Sequence, residues 1–182
     1  MPDEAGPPSP VLAAFVRGLG ERGDALDLGC GDGRLTAELR ARSLVGADAS
    51  SVALERARRR LGSDARLVLV EPDEPLPLDD NSFDLVLCAE TLEHVRDVQL
   101  LVSEVRRVLR PRGVVAVTTP AYTRWSALRL LVRGWESEFE PLSPHLRFFT
   151  ARSLRRLLGE MGFDVGSLET RAGTLLALAA RP

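Results

Sequence analysis

The regular alternation of short apolar runs with longer amphipathic segments constrains the fold most. The short runs have the length of buried strands, and in the longer segments apolar residues recur every three or four positions, as on one face of a helix. This alternation predicts β-α-β units on a parallel sheet. The predicted strands are 25–28, 44–47, 66–70, 84–88 and 113–118, and the predicted helices before and between them are 11–19, 34–40, 51–61 and 98–109.

The last part of the chain departs from this alternation. A helix over 151–161 is predicted to begin after Thr150 and to end before Gly162, and two strands follow directly, at 163–169 and 174–180. Consecutive strands with a short connection can pair as an antiparallel hairpin. The prediction is therefore an α/β, Rossmann-like fold with a seven-stranded, mostly parallel sheet, a C-terminal antiparallel hairpin and helices on both faces.

Composition and charge place the chain among globular proteins and argue against some partners. Hydrophobic residues make up 45% and charged residues 27% of the 182 positions, which favours one domain over 1–182. The net charge of −2 gives little attraction to nucleic acid, so nucleic acid is not an expected partner. No apolar run approaches the roughly 20 residues of a transmembrane helix. Two isolated cysteines, Cys30 and Cys88, and an N-terminus without a secretory pattern favour the cytoplasm.

A glycine-rich motif, Asp-Leu-Gly-Cys-Gly-Asp-Gly at 27–33, falls where the first predicted strand turns into the following helix. Glycines at such a turn let the backbone approach a ligand closely. The carboxylate of Asp48 follows 21 residues after Asp27, at the end of the second strand, where nucleotide-binding folds accept ribose hydroxyls. A dinucleotide motif, G-x-G-x-x-G, would need glycine in place of Arg34, so a different nucleotide is expected.

The spacing D-x-G-x-G-x-G resembles the first motif of the class I S-adenosylmethionine-dependent methyltransferases. The resemblance continues in order through 44–50, 76–78, 80–84, 92–95 and 109–113. It implies S-adenosylmethionine as the cofactor and methyl transfer as the reaction, with similarity to small-molecule enzymes of the ubiquinone pathway.

The same resemblance implies a set of cofactor-binding residues. The glycine-rich loop would wrap the methionine part of the cofactor, Asp48 would accept the ribose hydroxyls, and Asp73 is the candidate for the adenine amine. Cys88 would face the methionine end through its backbone. The implied cofactor residues are Asp27, Gly29, Cys30, Gly31, Asp48, Ala49, Asp73 and Cys88.

Glu90, Glu93 and His94 form an E-x-x-E-H string just after the fourth predicted strand. The string is similar to those of metal-dependent methyltransferases of the ubiquinone pathway and of small-RNA 3′ ends. The RNA family adds a histidine five residues before a threonine, a spacing that His145 and Thr150 share. Four such ligands could bind a divalent ion that lowers the pKa of a substrate hydroxyl. We expect instead a metal-free site, with His94 as the catalytic base and His145 directed away from it.

Residues 120–149 separate the fifth predicted strand from the next helix and are predicted to form an inserted lid on the substrate side. The stripe over 124–139 could cover the site, pack against the domain, or contact a membrane surface or a second subunit. Monomer and homodimer both stay open. The apolar residues that recur there at helical spacing are Trp125, Leu128, Val132, Trp135 and Phe139.

Taken together, these features predict an S-adenosylmethionine-dependent methyltransferase that acts on a small molecule, at a hydroxyl group. Two alternatives stay open. Metal-dependent 2′-O-methylation of an RNA 3′ end would use the E-x-x-E-H string, but the acidic balance of the chain disfavours it. A catalytically silent, cofactor-binding scaffold protein is disfavoured by the intact glycine-rich motif.

Overall fold

The computed structural model describes residues 6–123 and 145–182. Within these two ranges the strands are β1 Glu21–Leu28, β2 Arg40–Asp48, β3 Arg66–Leu69, β4 Phe83–Ala89, β5 Leu109–Pro120, β6 Asp164–Arg171 and β7 Thr174–Ala180. The α-helices are α1 Pro10–Gly18, α2 Ser51–Leu61, α3 Val98–Val108 and α4 Ala151–Glu160, and two short 3₁₀ helices cover Thr36–Glu38 and Leu92–His94.

The strands form one sheet in the order β3-β2-β1-β4-β5-β7-β6. The first five strands along the chain pair in parallel, and β7 pairs antiparallel with both β5 and β6. The hairpin between β6 and β7 turns at Ala172 and Gly173, which both have positive φ angles, +46° and +82°, as tight hairpin turns require. The predicted α/β, Rossmann-like fold with a C-terminal antiparallel hairpin is confirmed.

Helices cover both faces of the sheet because alternate residues of the central strands point in opposite directions. Leu26 and Val86 belong to the apolar cluster that α3 and α4 complete. Their neighbours Ala25 and Leu85 belong to a second cluster, which includes Val16 of α1. The two clusters are the two layers of the core on either side of the sheet.

The helix predicted over 34–40 is wrong, because this segment contains turns and only the 3₁₀ helix Thr36–Glu38. β2 begins at Arg40, directly opposite the start of β1, so residues 29–39 must return along nearly the whole strand. That return covers about 25 Å, at roughly 3.3 Å for each strand residue. An α-helix rises only about 1.5 Å per residue, so eleven residues reach the start of β2 only in a more extended form.

β5 contains a bulge near its start, around Pro111 and Gly113. Phe83 pairs with Leu109, whereas Leu85 pairs with Val114, so β5 gains extra residues between the two pairs. The strand therefore begins directly after α3 and is longer than the predicted 113–118.

The sheet order reverses between β1 and β4, which lie side by side although they are not consecutive in the chain. Chain connections leave this point toward opposite edges of the sheet, so a crevice opens outside the carboxyl ends of the two strands. Ligands of open α/β sheets bind in this crevice.

The apolar stripe predicted over 124–139, and with it most of the lid predicted over 120–149, lies outside the described residues. Residues 1–5 also lie outside them. Over 6–123 and 145–182, no helix combines the length and the apolar character that crossing a bilayer requires.

Candidate functional site

A cavity of about 320 Å³ lies at the carboxyl ends of β1, β2 and β4, where the strand order reverses. The residues singled out in the sequence that line it are Gly29, Asp48, Ala49, Asp73, Glu90 and His94. The implied cofactor residues that are not among its described lining residues are Asp27, Cys30, Gly31 and Cys88.

A close approach of Thr91 explains why position 29 is a glycine. Gly29 has a φ of +81°, and its N–H donates to the carbonyl of Ala47 at 2.8 Å. A Cβ at this position would lie 2.3 Å from Thr91 Oγ1 and 2.8 Å from Thr91 Cγ2. Thr91 is held there because its hydroxyl lies 3.1 Å from the carbonyl oxygens of both Leu28 and Ala89. At Gly29 the cavity is therefore lined by backbone atoms only.

Asp48, at the end of β2, has each carboxylate oxygen bound to one backbone amide. Oδ2 accepts from the N–H of Gly31 at 2.8 Å, and Oδ1 accepts from the N–H of Ser50 at 2.8 Å. Ser50 in turn caps α2 by accepting from the N–H of Ala53. A carboxylate offers about four acceptor positions, so both oxygens keep capacity for a ligand in the cavity.

Asp27 is buried in the sheet rather than exposed to the cavity. Its side chain is 1% exposed, and the hydroxyl of Thr36 donates to its Oδ2 at 2.6 Å. Burial raises the pKa of Asp27 to about 7, the Thr36 hydrogen bond opposes this, and the nearby charge of Asp48 adds to it. The carboxyl group thus stabilises the turn after β1, because its hydrogen bond with Thr36 links β1 to the segment that returns toward β2.

The two cysteines, Cys30 and Cys88, are free and buried. Burial raises the pKa of both thiols well above their usual range, so they are protonated at neutral pH. The Cys30 sulfur packs against Gly46 of β2, where a Cβ would lie 3.1 Å from it. Their side chains are packing groups of the core, and any ligand contact at these positions falls to the backbone.

An ion pair spans one end of the cavity, between Asp73 and Arg96. The Arg96 guanidinium lies 2.8 Å from Asp73 Oδ2, and the N–H of Asp97 donates to Asp73 Oδ1 at 3.2 Å. Asp73 has a φ of +60°, and all three residues line the cavity. Asp73, the candidate to bind the adenine amine, is therefore held by Arg96 and Asp97, which follow β4 in the chain.

The two glutamates of the E-x-x-E-H string are anchored by threonines of β5. The hydroxyl of Thr118 donates to Glu90 Oε1 at 2.9 Å, and the hydroxyl of Thr119 donates to Glu93 Oε2 at 3.1 Å. Glu93 is 1% exposed, and within the described parts of the chain its Oε1 has no hydrogen-bond partner. Burial raises the pKa of both glutamates, and for Glu90 the charge of Glu93 adds to the effect.

His145 lies beside His94, which corrects the expectation that it points away. The two ring centroids are 4.9 Å apart, with the ring planes inclined by 37°. One ligand atom from each of Glu93, His94 and His145 lies within 4.8 Å of the other two, whereas Glu90 is not part of this group. Residues 92–96 are called the His94 turn below, and residues 145–149 the His145 segment.

Thr91, Arg96 and Arg147 belong to the site region but were not singled out in the sequence. Thr91 is the second residue of the E-x-x-E-H string, and this position could have marked it as a site residue. Arg96 and Arg147 carry no local signal, because their partners come from other segments: Asp73 for Arg96, and backbone carbonyls of the His94 turn for Arg147.

The strand order, the glycine-rich turn and the cavity beside Asp48 define a nucleotide-binding α/β protein. The sequence matches the family model described as methyltransferase domain over residues 26–117, which is half of the chain. The chain belongs to this methyltransferase family. S-adenosylmethionine is the cofactor that the family and the relatives below imply, and the predicted resemblance is confirmed.

Three of the relatives show the range of activities for which similar proteins are named. A Mycolicibacterium smegmatis protein named for S-adenosylmethionine-dependent methyltransferase activity is 38% identical over 148 residues, which are 78% of this chain and 52% of that protein. A mitochondrial arginine-hydroxylase of Mus musculus is 32% identical over 149 residues, 80% of this chain and 43% of the relative. A ubiquinone biosynthesis O-methyltransferase of Neisseria meningitidis is 29% identical over 150 residues, 77% of this chain and 63% of the relative. The chain thus spans about half the length of these relatives.

A solved structure agrees with the fold. The crystal structure of a Bacillus halodurans protein described as a methyltransferase superposes with a TM-score of 0.79, covering 94% of this chain and 98% of that one. Its sequence identity is 17%, so this likeness supports the fold alone.

Proposed function

We propose that this protein transfers a methyl group from S-adenosylmethionine to a hydroxyl group of a small-molecule acceptor. The observation that carries the proposal is that His94, whose imidazole can act as a general base, lines the same cavity as Gly29 and Asp48. Family membership supports the cofactor, and the relative named as an O-methyltransferase supports a hydroxyl acceptor.

The residues around the cavity suit a nucleoside carrying an amino-acid chain. Asp48 keeps acceptor capacity on both carboxylate oxygens for a pair of ribose hydroxyls. At Gly29 no side chain stands between the backbone and the cavity. Leu76 and Leu101 add apolar wall, and Asp73 adds a carboxylate at the end proposed for adenine.

S-adenosylmethionine, when bound, supplies a methyl group already activated on a sulfonium centre. The protein therefore has to align the acceptor, exclude water and take up the hydroxyl proton. His94 is the residue we propose for the last of these tasks, and Glu90, which also lines the cavity, is a second acceptor beside it.

A second candidate function is metal-assisted transfer to a hydroxyl group. It is favoured by the convergence of Glu93, His94 and His145 on one another and by the buried Glu93 oxygen that lacks a partner among the described residues. One carboxylate and two imidazoles are suitable ligands for a borderline divalent ion such as Zn²⁺. An ion held there would lower the pKa of a nearby hydroxyl.

The proposal is tested by incubating the purified protein with S-adenosylmethionine and a panel of phenols, quinols, aliphatic alcohols, short RNAs with a free 3′ end and an arginine-containing peptide, followed by mass spectrometry. We expect an acceptor that gains the mass of one methylene group, with S-adenosylhomocysteine formed in equal amount. Gain of a single oxygen by the arginine-containing peptide, in a parallel incubation supplied with dioxygen and a reductant, would instead favour the hydroxylation named for the mouse relative. Cofactor binding without any product across the panel, including RNA 3′ ends, would favour a silent scaffold.

We further infer a cytoplasmic protein without a nucleic-acid partner. The two free, buried cysteines and the net charge of −2 support this setting. The oligomeric state needs a separate measurement. Sedimentation of the purified chain distinguishes a monomer from a homodimer directly.

A further inference from the structure

The His94 turn and the His145 segment meet at a junction of two backbone hydrogen bonds. The N–H groups of Leu146 and Arg147 both donate to the carbonyl oxygen of Glu93, at 2.7 Å and 3.2 Å. Because both bonds end on one atom, they fix where the segment touches the turn. The segment is held again at its far end, where the N–H of Tyr122 donates to the carbonyl of Phe149 at 2.8 Å. A further attachment close to His145 would fix how this end of the segment lies against the turn.

The side chain of Arg147 makes this further attachment. Its Nε donates to the carbonyl of Val95 at 3.1 Å, and its Nη2 donates to the carbonyl of Arg96. The planar guanidinium presents several N–H groups in a fixed fork, so one side chain can hold two successive carbonyls. Val95 and Arg96 line the cavity, whereas Arg147 is not among its described lining residues.

We propose that Arg147 is a positioning residue that holds the His145 ring against His94 and, from behind, fixes the wall formed by Val95 and Arg96. The ring separation of 4.9 Å is then a consequence of the three-point junction at Glu93, Val95 and Arg96. That this arrangement serves methyl transfer through His94 rests on the proposed function. The contact between the two rings does not rest on it, so the positioning role and the proposed function can fail separately.

The chain offers a clean readout because His94 and His145 are its only histidines. In protein labelled at histidine, a through-space NMR cross-peak between the two rings reports their contact, and the variants H94A and H145A assign the signals. The test variant is Arg147→Met, which keeps the length of the side chain and removes the guanidinium. The control is Arg152→Met, an exposed arginine of α4.

We expect the cross-peak in the unaltered protein and in Arg152→Met, its loss in Arg147→Met, and partial recovery in Arg147→Lys, which can hold one carbonyl. Because Arg147 also holds Val95 and Arg96, which line the cavity, affinity for S-adenosylhomocysteine should fall in Arg147→Met and stay unchanged in Arg152→Met. A cross-peak of undiminished intensity in Arg147→Met would overturn the proposal and leave the proposed function standing. Should the variant not fold, proton exchange at the Arg147 guanidinium of the unaltered protein decides: slow exchange supports the clamp, and exchange as fast as at Arg152 refutes it.

Discussion

The hydroxyl of Thr91 lies 2.3 Å from the point that a Cβ on Gly29 would occupy, so a side chain at position 29 would overlap with Thr91. Gly29→Ala therefore meets a clash in addition to the cost of a positive φ, which is about 1–2 kcal/mol by itself. We expect a lower thermal midpoint and weaker binding of S-adenosylhomocysteine, measured by thermal melts and calorimetry.

Gly31→Ala is the matched control for this prediction. Gly31 also has a positive φ, +55°, but no atom lies within 4 Å of its Cβ position, so only the conformational cost applies. Thr91→Ala combined with Gly29→Ala should recover part of the lost stability. Equal losses in the two glycine variants would contradict the role given to Thr91.

A second prediction concerns Asp48. Asp48→Ala removes the carboxylate that we propose for the ribose hydroxyls, and hydrogen bonds to charged groups contribute about 1.5–3 kcal/mol each. We expect the affinity for S-adenosylhomocysteine, measured by calorimetry, to fall at least about tenfold. Asp164→Asn, on the exposed edge strand β6, is the control and should bind as the unaltered protein does. Unchanged affinity in Asp48→Ala would place the ribose elsewhere.

A third prediction follows from the raised pKa of Asp27. With a folded-state pKa of about 7 against an ordinary 3.8, the native protein keeps a proton that the unfolded chain loses between these values. The stability that this group contributes is fully present below about pH 4 and is lost as the pH rises through about 7. Asp27→Asn removes the titration, so its free energy of unfolding should fall less between pH 5 and pH 7.5.

Urea unfolding at several pH values measures this difference directly. Other titrating groups, including Glu90 and Glu93, are shared by both proteins, so the difference between the two curves isolates Asp27. The slope of that difference approaches at most about 1.4 kcal/mol per pH unit. Parallel curves would mean that Asp27 is ionised in the folded protein throughout this range.

The sequence predicted the sheet and much of the cavity because both depend on local patterns. The apolar runs specify the strands, and the glycine motif at 27–33 specifies the ligand-facing turn that follows the first of them. Asp48 stands at the end of the next strand, so it is also found from local sequence. The order of the strands in the sheet was not among the predictions, although right-handed β-α-β crossovers limit the alternatives.

The two features that the sequence analysis predicted wrongly depend on contacts between segments that are far apart in the chain. The 34–40 helix failed because its length is limited by the register of β2 against β1, which the segment itself does not encode. His145 was expected to point away because fifty residues separate it from His94, and the junction at Glu93 that unites them is made by backbone groups.

A fourth prediction separates the two candidate mechanisms once an acceptor is known. For a metal-free base, His94→Ala should lower the rate about 10²- to 10⁴-fold, His145→Ala should have a much smaller effect, and a chelator should have none. Loss of activity on chelation, restored by Mg²⁺ or Zn²⁺, with His145→Ala as damaging as His94→Ala, would establish the metal-assisted alternative. Steady-state rates with and without chelator provide the measurement.

The central claim is that the cavity beside Gly29 and Asp48 binds S-adenosylmethionine and not a dinucleotide. Calorimetric titration of the unaltered protein with S-adenosylmethionine, S-adenosylhomocysteine and NAD tests it most directly. We expect both sulfur-containing ligands to bind at one site per chain and to compete with each other, with no binding of NAD, because Arg34 stands where the dinucleotide turn needs glycine. Binding of NAD without a response to either sulfur-containing ligand would contradict the claim.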